Sequence, residues 1–89
     1  MAAIMKVWGF ANGAPCPVAG QYLKAFDFDA HDGRGFGDFT ADRVEAMKFK
    51  DLPEAMAYWK TVSKVRPVRA DGRPNRPLTA THVTFEWVE

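Results

Sequence analysis

Three arginine–proline pairs, Arg66-Pro67, Arg73-Pro74 and Arg76-Pro77, crowd the segment between residues 66 and 77. Proline locks its own φ, removes a backbone donor and pushes the residue before it towards extended geometry. No long helix and no central strand can pass through such a segment. Whatever precedes it must stop by Arg66, and regular structure resumes only after Pro77. The sequence thus predicts a stiff connection over residues 64–77. With polyproline-like geometry, three residues per turn would set Arg73 and Arg76 on one side, about 9 Å apart.

The clearest helical pattern lies just before this connection. Asp51 supplies an N-cap, Pro53 suits the first turn, and Glu54 completes an Asp-x-x-Glu capping box. Leu52, Ala55, Met56, Trp59 and Val62 then recur at helical spacing and predict one apolar stripe. Burying Leu52, Met56 and Trp59 would contribute about 1.5–3 kcal/mol each. At roughly 12 residues the helix is marginal alone and needs a sheet to pack on. After the connection, residues 78–88 alternate. Thr79, Thr81, Val83, Phe85 and Trp87 predict one face of a strand, and Ala80, His82, Thr84 and Glu86 the other.

The first half of the chain reads as β structure. Residues 4–10 are β-branched and aromatic, and predict a strand. Residues 11–20 hold two glycines and two prolines and predict a loop. Residues 21–30 alternate, with Tyr22, Lys24, Phe26 and Phe28 on one side and Leu23, Ala25, Asp27 and Asp29 on the other. Asp32-Gly33 signals a hairpin returning along residues 36–40, because such a turn needs positive φ. Residues 41–50 fit either a helical turn or an extended piece that buries Val44, Met47 and Phe49. The expected fold is a single α+β domain over residues 1–89, in the order β-β-β-(short element)-α-β. It is a small antiparallel sheet of about four strands with one main helix packed on one face.

Composition narrows the class of function. A 47% hydrophobic content supports a folded core, and one cysteine, Cys16, excludes an intrachain disulfide framework. No apolar run reaches the ~20 residues that span a bilayer, and the N-terminus does not read as a signal peptide. The expected location is the cytoplasm, with no membrane partner. Residues 60–77 carry six cations against Asp71, a net of +5, which leaves −4 on the rest of the chain. Such asymmetry marks either a partner surface or a set of internal ion pairs.

The arginine segment is the candidate site. Arg66, Arg69, Arg73, Asn75 and Arg76 are the expected contact residues. A guanidinium offers a planar fork of donors that matches carboxylates and phosphates, and a stiff backbone presents it at little ordering cost. A protein partner with acidic groups is favoured. Nucleic acid is the alternative, with Trp59 or Trp87 available for base stacking. The structural alternative is that Asp27, Asp29 or Asp38 consume these arginines within the fold. Homo-oligomerisation through Trp8, Phe10 or Trp87 stays open.

Other chemistries find less support. Asp27-x-Asp29-x-His31 followed by Asp38 resembles a calcium loop, but its sixth position is Asp32 where glycine is needed, and its twelfth is Asp38 where Glu is expected. No metal or cofactor is therefore expected. His31 and His82 stand outside any nucleophile motif, Ser63 is the sole serine, and Gly33-Arg34-Gly35-Phe36-Gly37 is too short for a phosphate loop. The expectation is a binding protein without catalytic residues.

The block Asp71-Gly72-x-Pro74-Asn75-Arg76-Pro77-Leu78-Thr79-Ala80 resembles one found in small phage and prophage proteins. Gly20-Gln21-Tyr22-Leu23, the glycine-rich turn, Phe39-Thr40, Ala46…Phe49 and Glu54-Ala55…Trp59 extend the resemblance over most of residues 20–88. It implies a bacterial cytoplasm and a phage accessory or host-interaction role, and it brings no known site residue with it.

Overall fold

The computed structural model describes residues 1–88 and contains a four-stranded antiparallel sheet and one helix of more than a single turn. The strands are β1 (Ala2–Phe10), β2 (Tyr22–Asp27), β3 (Phe36–Thr40) and β4 (Thr81–Val88), in the spatial order β3-β2-β1-β4. The helix spans Leu52–Trp59 and a 3₁₀ turn, Pro77–Ala80, leads into β4. The chain is thus a mixed α+β protein with a small sheet, as the pattern of residues predicts.

Strand β1 lies at the centre and is covered on both faces. Ala3 and Met5 join Leu23, Phe49, Ala55 and Leu78 in one buried cluster, while Ile4 joins Tyr22 and Ala46 in another. This explains why β1 is the most continuously apolar strand: residues on both sides of its pleat leave water. The first cluster takes Ala55 from the helix, with Tyr58 and Trp59 packed against it. Aromatic contacts tie the elements together, with Phe28 to Tyr58 at 5.1 Å and Phe49 to Tyr58 at 5.3 Å between ring centroids.

Strand β2 departs from strict alternation. Period two sets Leu23 opposite Phe26 and Phe28, yet all three belong to the same core cluster. A register shift between Leu23 and Ala25 reconciles them. One extra residue on the bulged strand reverses the phase of every side chain after it. The strand also stops at Asp27, short of the expected residue 30, where the Asp27 carboxylate accepts the Asp29 N–H at 3.0 Å and turns the chain.

The turn after β2 is broader than a two-residue hairpin. It includes a helical turn at Ala30–Gly33, and His31, Asp32, Gly33 and Gly35 all have positive φ. Residues 41–50 form turns that end in an isolated bridge from Phe49 to Ala3. Phe49 and Ala46 are buried as core residues, whereas Val44, expected inside, is 78% exposed.

The helix is shorter than its apolar stripe suggested, ending at Trp59 instead of near Arg66. Its start is as expected: the Asp51 carboxylate accepts the Glu54 N–H at 2.9 Å. The Glu54 carboxylate reaches back one residue further than a capping box, to the Lys50 N–H. At the other end the Thr61 hydroxyl bonds back to the Ala57 carbonyl at 3.1 Å, and the following amides are drawn elsewhere. Leu52, expected to be buried, is 39% exposed, and the buried side of the helix centres on Ala55. Residues 78–80, read as the start of the last strand, belong instead to the 3₁₀ turn.

Candidate functional site: an arginine cleft

Asp29 decides the course of the segment after the helix. One of its oxygens accepts the Ser63 hydroxyl at 3.0 Å, the Lys64 N–H at 2.7 Å and the Val65 N–H at 3.3 Å. These are amides that a longer helix would have used, so the helix stops and the chain is latched to the turn after β2. The Lys64 N–H contributes most to holding the Asp29 carboxyl below its ordinary value of 3.8. Partial desolvation opposes it, while Ser63 and Val65 reinforce it.

The sign of the pH effect follows. A depressed pKa means the native state holds its proton less tightly than the unfolded chain does. The latch therefore stabilises fully above about pH 4–5 and is lost as pH falls through the folded value. Asp29→Asn should lower the melting temperature at pH 7 and flatten its decline below pH 4. Thermal melts across pH 2.5–7 check this, and parallel curves for the two proteins would refute the latch.

Residues 67–75 fold back on themselves. The Asn75 N–H bonds the Pro67 carbonyl at 2.9 Å, Val68 bridges Pro74, and the Arg69 N–H bonds the Arg73 carbonyl at 2.8 Å. The Gly72 N–H bonds the Arg69 carbonyl at 3.0 Å, and Gly72 has φ +83°. This is a three-residue hairpin turn whose left-handed position requires glycine. The Asp71 carboxylate steadies it by accepting the Arg73 N–H at 3.0 Å. The segment is therefore a small two-limbed hairpin, not the polyproline-like connection expected from its prolines.

Asn75 is the pin that holds this hairpin against the rest of the molecule. Its side-chain amide donates to the Gly33 carbonyl at 2.7 Å and the Arg66 carbonyl at 2.9 Å, and its own carbonyl accepts the Ser63 N–H at 2.9 Å. All this occurs against Gly33, where a Cβ would lie 2.6 Å from the Arg66 Cβ.

The five expected contact residues separate into different roles. Arg66 pairs with Asp32 on the surface and its carbonyl accepts the Asn75 side-chain amide, so Asn75 serves as scaffold and the Arg66 guanidinium is already matched by a carboxylate. Asp32, and not Asp27, Asp29 or Asp38, is the carboxylate that claims Arg66. Arg69 pairs with Asp71 at 3.4 Å, both about half exposed, an arrangement worth roughly 0–1 kcal/mol. Arg73 lines neither recess described next, and it and Arg76 have no ion pair among the described residues.

Two adjoining recesses open between the hairpin and the turn after β2. One, of about 380 Å³, is lined by Arg34, Arg69 and Arg76 with Asn75, Thr79 and Ala11 among their neighbours, and has no carboxylate in its wall. The other, of about 260 Å³, shares Arg34, Arg69 and Asn75 and includes the Asp32–Arg66 pair. Arg34 was not among the expected residues. Its signal in the sequence is Gly33-Arg34-Gly35: an arginine flanked by glycines stands clear of its neighbours on a turn. The Arg76 carbonyl accepts both the N–H and the hydroxyl of Thr79, at 3.0 and 2.6 Å, which fixes the chain where Arg76 leaves it.

The opposite end of the sheet carries a second charged cluster that is satisfied internally. Glu86 receives Arg43, the Tyr22 hydroxyl at 3.2 Å and Lys6 at 3.8 Å. The Tyr22 hydroxyl foremost, and Glu86 beside it, raise the Arg43 pKa above its ordinary value. Trp8 is half exposed and donates to the Thr84 hydroxyl at 2.7 Å, under Lys6 at 4.5 Å from its ring. His31 and His82 are exposed and line neither recess. Among the described residues no three His, Cys, Asp or Glu side chains group to hold a metal, and no helix is long and apolar enough to cross a membrane. No protein-family model, curated protein or solved structure matches the chain.

Proposed function

We propose that this protein works by binding, and that the cleft walled by Arg34, Arg69 and Arg76 receives an acidic group of a protein partner. One observation carries the reading: Arg34, Arg69 and Arg76, from two separate segments, line a recess of about 380 Å³ that has no carboxylate residue in its lining. Arg34 and Arg76 have no internal ion pair among the described residues. An incoming carboxylate or phosphate restores the charge balance with paired, charge-assisted hydrogen bonds. The remaining sequence-derived contacts, Arg66 and Asn75, set the shape of the cleft, and Arg73 widens its positive field.

A protein partner is favoured over nucleic acid because the cleft has no aromatic wall. Trp59 packs against the core, and Trp87 is not among the lining residues. Stacking platforms beside a basic track are what single-stranded nucleic acid requires. The scaffold is read as a helix laid on the sheet face that holds Ala3, Met5 and Leu23, since Ala55 shares their cluster. The resemblance to phage and prophage proteins adds the setting: an accessory or host-interaction protein in a bacterial cytoplasm.

The test uses a labelled glutamate-rich peptide and a labelled single-stranded oligonucleotide, followed by anisotropy at two salt concentrations. The peptide should bind, and Arg34→Ala/Arg76→Ala should weaken it about 10–100-fold. Preferential oligonucleotide binding with a steep salt slope would transfer the cleft to nucleic acid. Absence of binding to either probe at low salt would overturn the proposal.

A further inference from the structure

The free edge of β4 is a self-complementary strand, and we infer that two copies of this chain join through it into one continuous eight-stranded sheet. The inference is independent of the arginine cleft. It starts from where the backbone groups of β1 point. Ala3 exchanges hydrogen bonds with Phe49, and Val7 bonds Gln21 and Gly20, so these residues turn their N–H and C=O groups away from β4. In an antiparallel ladder the direction alternates from residue to residue. Ile4 and Lys6 therefore face their partners Glu86 and Thr84, while Val83, Phe85 and Trp87 direct their backbone groups outward from the sheet.

Nothing in the described residues covers that outward row. No backbone group pairs with Val83 or Phe85 on this side, and the sole outward contact is the Arg43 guanidinium on the Trp87 carbonyl at 3.1 Å. A carbonyl has a second lone pair and can still accept. The usual edge defences are missing too. Strand β4 is eight residues long, contains no proline, and its one charged side chain, Glu86, is held over the sheet by Lys6 and Arg43. The other edge, β3, is five residues long and carries Gly37 and Asp38. Trp87 adds an aromatic side chain that is 45% exposed at the open edge.

The occupant is a second copy because β4 pairs with itself without conflict. Centring an antiparallel pair on Phe85 sets Phe85 opposite Phe85 and Val83 opposite Trp87, each of these meeting through its outward backbone groups. Thr84 then faces Glu86, and His82 faces Val88. No like charges stand opposite each other, and aromatic and β-branched side chains meet, which is the favourable cross-strand combination. The N–H of Trp87 is used only in this pairing, so Trp87→Pro removes an intermolecular donor while leaving the β1–β4 ladder intact.

The experiment is sedimentation equilibrium of the full chain and of Trp87→Pro over a hundredfold range of concentration, with amide hydrogen exchange at each end of the range. The expected result is a dimer whose dissociation constant rises at least about tenfold in Trp87→Pro, from the loss of two symmetry-related bonds. The amides of Val83 and Phe85 should be protected only at the high concentration, while those of Thr84 and Glu86 stay protected throughout. A monomer at every concentration would overturn the inference. So would a dimer in which the Val83 and Phe85 amides exchange freely, because it would form through another surface.

Discussion

Gly33→Ala should destabilise the protein by about 2–4 kcal/mol and lower its melting temperature by roughly 10–20 °C. Two costs combine at this residue. Gly33 has φ +86°, a left-handed conformation that costs a residue with a Cβ about 1–2 kcal/mol. The added methyl would also sit 2.6 Å from the Arg66 Cβ, 3.0 Å from the Asn75 side-chain nitrogen and 3.1 Å from the Ser63 hydroxyl. The first of these atoms is bonded directly to the backbone and cannot swing aside by a side-chain rotation. The other two belong to the network that pins the hairpin, so relief of the clash means breaking bonds from Asn75 or Ser63. Circular-dichroism melts check the stability. Binding of the acidic peptide should fall with it, since Gly33 separates the two segments that bring Arg34 and Arg76 together. An unchanged melting temperature would mean that the hairpin does not seat on this turn.

Leu78→Ala should cost about 2–5 kcal/mol, out of a total on the order of 5–13 kcal/mol for a domain of this length. Leu78 is fully buried and shares the main cluster with Ala3, Met5, Leu23, Phe49 and Ala55. It is the residue through which the 3₁₀ turn, and with it Arg76 and Thr79, is anchored to the core. Urea unfolding should show a lower midpoint with an unchanged slope, the sign of lost stability without a change in the surface exposed. Arg73→Ala and Arg76→Ala should, by contrast, stay within about 0.5 kcal/mol of the parent, because both arginines lie on the surface without an ion pair among the described residues. The opposite ranking, with the arginine variants unfolding first, would make those side chains scaffold and leave Arg34 as the one unpaired arginine of the cleft among the described residues.

The legible parts of the fold are those set by signals between residues close in sequence, although most of its contacts join residues far apart in the chain. The Asp51 cap, the return strand at Phe36–Thr40 and the alternation of β4 were all read from short windows and are found in place. The misreadings share a cause as well. The apolar spacing continues to Val62, but the helix ends at Trp59, because Asp29 claims the Lys64 and Val65 amides and competes with further helix. The prolines did exclude regular structure, yet Asp71-Gly72 supplies a turn that folds the segment into a hairpin. On β2 the apolar residues fall out of phase, a pattern that period-two reading alone cannot assign to a bulge.

The candidate site was half visible for the same reason. Arg69 and Arg76, two of the expected contact residues, line the cleft; Arg34, which is not among them, lines it as well, and Arg66 pairs with Asp32. By itself the amino-acid order determined which residues can be helical, extended or turning, because φ restrictions, caps and side-chain periodicity act within a few positions. Only the tertiary structure decided which arginines are neutralised and which are left facing an open recess. That choice depends on which carboxylate lies within a few ångströms, and Asp29 meets the Lys64 amide across 35 positions of chain, a separation that carries no information about distance in space.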